Sequence, residues 1–125
     1  MTKPTVLLVD DDRELRELLR EQLEATGDYA VVGLGNAAEA LSALSAQAID
    51  VVVTDLRMPG TSGTKLCKEV VRLFPDVPVL LMTAFGSLDS AIDAIRAGAA
   101  DFIVKPFMPE QVQETLQRWF EAATA

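Results

Sequence analysis

Five short apolar runs rich in Val and Ile punctuate the chain: Thr5–Val9, Tyr29–Leu34, Asp50–Thr54, Pro78–Met82 and Asp101–Val104. They are continuous rather than alternating, the pattern of strands buried on both faces of a parallel sheet. Between them the apolar residues switch to helical spacing. The successive stripes are Leu15, Leu18, Leu19 and Leu23; Ala40, Leu41, Leu44 and Ala48; Leu66, Val70, Val71 and Phe74; Leu88, Ala91, Ile92 and Ile95; and Val112, Leu116, Trp119 and Phe120. Local punctuation agrees: Asn36 followed by Glu39 resembles a capping box, Pro109 suits the first turn of the last helix, and Gly27 and Gly98 suit helix ends.

This alternation predicts an α/β fold, (βα)5 and doubly wound, with a five-stranded parallel sheet covered by helices on both faces. Right-handed crossovers favour the strand order 2-1-3-4-5 of flavodoxin-like folds, in which the first and third strands are neighbours where the winding reverses. A ligand then sits beyond the carboxyl ends of those strands. The sequence carries no linker, repeat or low-complexity segment, so residues 1–125 read as one domain.

Composition narrows the class. The 125 residues are 50% hydrophobic and 24% charged, ordinary for a globular protein. The apolar runs are too short to span a bilayer, and Val6–Val9 leads into three aspartates rather than a signal-peptide cleavage site. The expectation is a cytoplasmic protein without a membrane role. Cys67 is the only cysteine, which rules out an internal disulfide, and its apolar neighbours predict a buried small hydrophobe. A net charge of −8 argues against direct nucleic-acid binding. The absence of histidine removes histidine catalysis, ordinary zinc sites and a phosphohistidine donor role.

Chemistry concentrates at the strand ends. The first run leads into Asp10, Asp11 and Asp12, the third into Thr54 and Asp55, the fourth into Thr83 and the fifth into Lys105 and Pro106. The second ends in Gly33 and Gly35 and offers no reactive group, as expected of an edge strand. Asp12 reads best as a helix cap. Asp10, Asp11 and Asp55 brought together would repel, and a hard divalent cation such as Mg²⁺ removes that cost. With Lys105 as a cation and Thr83 as a hydroxyl donor, the set suits phosphoryl transfer onto a carboxylate. Taken singly, each residue has a structural explanation: Asp55 as the start of a turn through Met58, Pro59 and Gly60, Thr83 as a helix-entry residue, Lys105 as a solvated lysine. Their convergence on one predicted crevice favours the chemical reading.

The segments VLLVDDD, VVVTDLRMPG, LLMTAFGS and AADFIVKPF, in this order and spacing, resemble a response-regulator receiver domain of two-component signalling over nearly the whole chain. The resemblance implies that Asp55 is phosphorylated by a sensor histidine kinase or phosphotransfer protein. It further implies that Asp11 binds Mg²⁺ directly, Asp10 mainly through water, and Asp55 and the Arg57 backbone carbonyl complete the protein ligands. Thr83 would hydrogen-bond the phosphoryl oxygens, Lys105 would pair with them, and the Lys105–Pro106 peptide would be cis. Phe102 holds the family's switch position, where it would remodel the face made by the fourth helix, fifth strand and fifth helix. Arg57 and Phe85 stand where the family varies its dephosphorylation rate. Such a domain is no enzyme beyond its own phosphoryl transfer and slow dephosphorylation. The segment from Thr83 to Phe107 is most similar to receivers of enhancer-binding transcription activators, which would bring a C-terminal output domain and a homodimer through the same face. Two rivals follow from the residues: an aspartate-nucleophile phosphatase of haloacid dehalogenase type using the Asp10-x-Asp12 spacing, and an interaction module that retains the fold without the chemistry.

Overall fold

The computed structural model describes residues 3–56, 58, 60, 62–83, 88–104 and 109–124. Strands and helices alternate throughout: β1 (Thr5–Val9), α1 (Arg13–Ala25), β2 (Ala30–Leu34), α2 (Ala37–Ala46), β3 (Val51–Asp55), α3 (Gly63–Leu73), β4 (Val79–Thr83), α4 (Leu88–Arg96), β5 (Asp101–Val104) and α5 (Pro109–Thr124). All four strand pairings are parallel and the order is β2-β1-β3-β4-β5, as the apolar runs predict. β3 and β4 each start and end one residue later than expected, so Asp55 and Thr83 close their strands rather than open loops.

The sheet divides the core in two because successive strand residues face opposite sides. Leu7, Val9, Val52 and Leu81 face a cluster completed by α2, α3 and α4 through Ala40, Leu44, Leu66, Val70 and Ala94. Val6, Leu8, Val53, Leu80 and Met82 face the other, with Leu19 and Leu23 of α1 and Val112 and Leu116 of α5. Cys67 is buried in the first cluster, where its thiol donates to the Ala97 carbonyl (3.6 Å). The helical stripes are wider than the buried faces: Leu18, Val71, Ile92 and Ile95 lie on the solvent side. The side chains of Leu88 and Ala91, assigned to the fourth stripe, lie outside the described set.

Helix starts follow the expected chemistry. Asp12 Oδ1 accepts from Leu15 N (3.2 Å), Asn36 Oδ1 from Glu39 N (2.9 Å), and Ser62 Oγ from Lys65 N (3.2 Å). These side chains occupy donors that the helix cannot satisfy internally. Gly27 and Gly98 end α1 and α4 at φ +79° and +93°, a conformation that favours glycine. No helix among the described residues is long and apolar enough to cross a membrane.

Candidate functional site

Register builds the site. Val9 pairs with Thr54, and Asp55 pairs with Met82, so Asp10 and Asp55 emerge side by side from the two central strands. Thr83 follows Met82 and closes β4 against Val104 of β5. Carboxylate oxygens of Asp10, Asp11 and Asp55 all lie within 4.8 Å of one another. Asp10 is fully buried, Asp55 half-buried and Asp11 exposed, which leaves the cluster open to solvent on one side. Thr83 is buried. Lys105, Pro106, Arg57 and Phe85 lie outside the described residues.

The turn after β1 is held by its own side chains. Asp10 N donates to Leu34 O (3.1 Å), continuing the β1–β2 ladder one step. Asp10 Oδ1 accepts from Asp12 N (2.9 Å), while Asp12 turns away to cap α1. The three consecutive aspartates are therefore divided: two enter the cluster and one starts the helix. On β3, Thr54 Oγ1 donates to Asp55 O (3.1 Å). Gly63 N donates to Leu56 O (2.9 Å), drawing the start of α3 against the strand that carries Asp55.

The donor set is all carboxylate oxygen, without sulfur or imidazole. Such a set suits a hard cation that retains several waters, and three like charges at this spacing disfavour the metal-free cluster. The residues present therefore fit Mg²⁺.

Residues 6–117 match the family described as the response regulator receiver domain. The chain belongs to that family. The C4-dicarboxylate transport transcriptional regulatory protein DctD of Rhizobium meliloti (strain 1021) is 41% identical over 115 residues, covering 92% of this chain and 25% of that protein. Response regulator protein FleR of Pseudomonas aeruginosa is 42% identical over 113 residues, covering 90% and 24%. The chain thus spans about a quarter of the length of these relatives. Among solved structures, the non-phosphorylated HemR receiver domain from Leptospira biflexa superposes with TM-score 0.83 at 37% identity, covering 93% of each chain. FixJ-N superposes with TM-score 0.85 at 36% identity, covering 94% of each. This receiver is a domain of two-component response regulators, and nothing in these likenesses supports the phosphatase alternative.

One contributor was not visible in the sequence. Arg16 of α1 lies across the end of β2 and donates from Nη1 to the Asp10 backbone carbonyl (2.8 Å). The edge strand, which offers no reactive side chain, instead offers the room that Arg16 occupies.

Proposed function

We propose that this receiver is a phosphorylation-dependent switch with Asp55 as phosphoacceptor, and that Asp10, Asp11, Asp55 and the Arg57 backbone carbonyl hold Mg²⁺. The observation that carries this reading is the meeting of three carboxylates, within 4.8 Å of one another, at the carboxyl ends of β1 and β3. Mg²⁺, when bound, supplies charge neutralisation for the carboxylates and for a transferring phosphoryl group.

Asp55 attacks the phosphorus of a phosphohistidine on a sensor histidine kinase or phosphotransfer protein. An O–P bond forms at the Asp55 carboxylate, the donor P–N bond breaks, and the electron pair leaves with the imidazole nitrogen. Thr83 donates its hydroxyl to a phosphoryl oxygen and Lys105 pairs its ammonium with the phosphoryl group. The parts assigned to Lys105 and Arg57 rest on their position in the receiver motifs. Chemistry ends at the chain's own phosphorylation and slow dephosphorylation, and the cytoplasm is the proposed setting.

The output is proposed to travel through Thr83 and Phe102. Leu81 pairs with Phe102, so Thr83 and Phe102 share a face of neighbouring strands, and the Phe102 ring is half-buried against the first core cluster. A phenylalanine has no hydroxyl to offer a partner, so a shift of Thr83 reaches the surface only by repacking this ring. Beside it, a groove of about 310 Å³ runs between β5 and α5, lined by Phe102, Val104, Gln111, Glu114, Thr115 and Arg118. Ile92, Ile95 and Val104 leave apolar surface on the α4 and β5 side. This face is proposed to take a second copy of the chain. By likeness to the transcriptional regulators, the signal would pass to a separate output domain.

Incubation with acetyl phosphate and Mg²⁺, followed by peptide mapping of the acyl phosphate, tests the assignment. Label at Asp55, and its loss in Asp55→Asn, is the expected result. Label at Asp10 would instead restore the phosphatase reading.

A further inference from the structure

The geometry points to Arg16 as a positioning residue for the acidic cluster, seated by the absence of a side chain at Gly35. This inference rests on the reading of Asp10, Asp11 and Asp55 as a Mg²⁺ site. Arg16 stands in the first turn of α1, where its amide donates to Asp12 O (2.9 Å). Its side chain turns back over the edge strand. Cγ and Cδ lie 3.4 Å from where a Cβ on Gly33 would stand, and Nη1 lies 3.0 Å from where one on Gly35 would stand. Gly35 does not have a positive φ, so its backbone does not demand glycine. The nearby guanidinium disfavours a side chain: a methyl group there is tighter than nine in ten real contacts, and Nη1 would have to give way by a few tenths of an ångström.

What Nη1 holds is the Asp10 carbonyl, at 2.8 Å. That oxygen belongs to the peptide joining Asp10 to Asp11, the two residues that must present their carboxylates together. The Asp10 carboxylate is held from the other side by Asp12 N (2.9 Å). Fixing the peptide oxygen with a charged donor therefore fixes the directions in which both side chains leave the chain. Arg16 Nε is enclosed without a hydrogen-bond acceptor among the described residues, and the hold of the guanidinium on this turn is the Nη1 bond. Partners one step behind metal ligands commonly tune metal affinity in this way.

A fixed positive charge near a cation site has the opposite effect, weakening cation binding. The sign therefore separates positioning from simple electrostatics. Mg²⁺ titration calorimetry on the whole chain at neutral pH is the measurement, with apo-state exchange of the Asp11 amide as a readout independent of metal. Arg16→Ala is expected to weaken Mg²⁺ binding roughly tenfold and to speed Asp11 amide exchange. Gly35→Ala is expected to weaken binding several-fold alone, yet to add nothing in the Arg16→Ala background, where its methyl meets no guanidinium. Gly33→Ala, whose methyl makes only ordinary contact, is expected to bind like the unsubstituted chain.

Unchanged or tighter Mg²⁺ binding in Arg16→Ala overturns the inference, as does an additive effect of Gly35→Ala. If Arg16→Ala does not fold, Gly35→Ala decides alone, and unaltered affinity in that variant overturns it. Failure of the unsubstituted chain to bind Mg²⁺ would remove the cation reading itself, and this inference with it.

Discussion

Gly63, the first residue of α3, lies against the backbone of Asp55 so closely that a Cβ at that position would overlap the Asp55 carbonyl oxygen. The same Cβ would stand 2.9 Å from Leu56 Cα. The obstacles are backbone rather than a flexible side chain, so either α3 must move or the end of β3 must. Gly63→Ala is expected to cost about 3 kcal/mol of stability, at the upper end for overpacking. A urea midpoint shifted by less than a third of that would show that α3 can relax away.

The three aspartates after β1 should separate by phenotype. Asp12→Ala removes the acceptor for Leu15 N and is expected to cost about 1 kcal/mol of stability while leaving Mg²⁺ affinity nearly unchanged. Asp11→Ala should do the reverse, losing Mg²⁺ binding with little cost to folding, since its side chain is exposed. Calorimetry and chemical unfolding on the two variants provide the comparison. Equal loss of Mg²⁺ binding in both would mean that Asp12 belongs to the site.

Metal-free protein carries the repulsion of its carboxylates. Asp55→Asn is expected to raise the apo stability by about 1 kcal/mol, a fraction of the unscreened repulsion at this spacing. Mg²⁺ at a hundred times its dissociation constant should add about 2.7 kcal/mol to the unsubstituted chain and almost nothing to the variant. Thermal unfolding with Mg²⁺ or with a chelator reads both effects. An apo Asp55→Asn less stable than its parent would contradict the repulsion argument.

Cys67 predicts a pH dependence. Burial pushes its thiol up from 9.0 to about 11. An unfolded chain therefore ionises first, and the folded state's advantage is intact below about pH 9 and lost as the pH rises towards 11. The loss amounts to about 2–3 kcal/mol. Burial, and after it Asp28 and Glu121, raises the Tyr29 phenol too, so the difference between the parent and Cys67→Ala isolates the thiol. Unfolding free energies at pH 8 and pH 10.5 should fall more steeply in the parent; parallel slopes would refute this account.

Most of the architecture could be read from the runs Thr5–Val9 and Asp101–Val104, because a strand buried on both faces must be apolar at consecutive positions. The ends of β3 and β4 were harder to read. Parallel pairing is a backbone property, so the ladder runs on through Asp55 and Thr83 although these side chains are polar. Leu18 and Ile95 fall on helical stripes but lie outside the buried faces, because a stripe gives a helix's apolar side and not the width of the surface it meets. Asp10, Asp11 and Asp55 could be brought together from strand order alone. Arg16 could not: on α1 it reads as one more charged position. The available signal was a pair of glycines, Gly33 and Gly35, at an edge strand's end, which marks a close approach without naming what approaches.

The position of β1 has a consequence for how the chain is made. Val6–Val9, wholly enclosed in the finished fold, is synthesised before the other four strands but sits between β2 and β3. Its outer neighbour follows soon, yet its inner edge has no partner until residues 51–55 leave the ribosome, and those in turn wait for residues 79–83. The nascent chain therefore carries an unpaired apolar strand until β3 and β4 have emerged, the kind of segment that slows folding and invites chaperones. The acidic residues immediately after it, Asp10 to Asp12, place charge beside that strand throughout the wait.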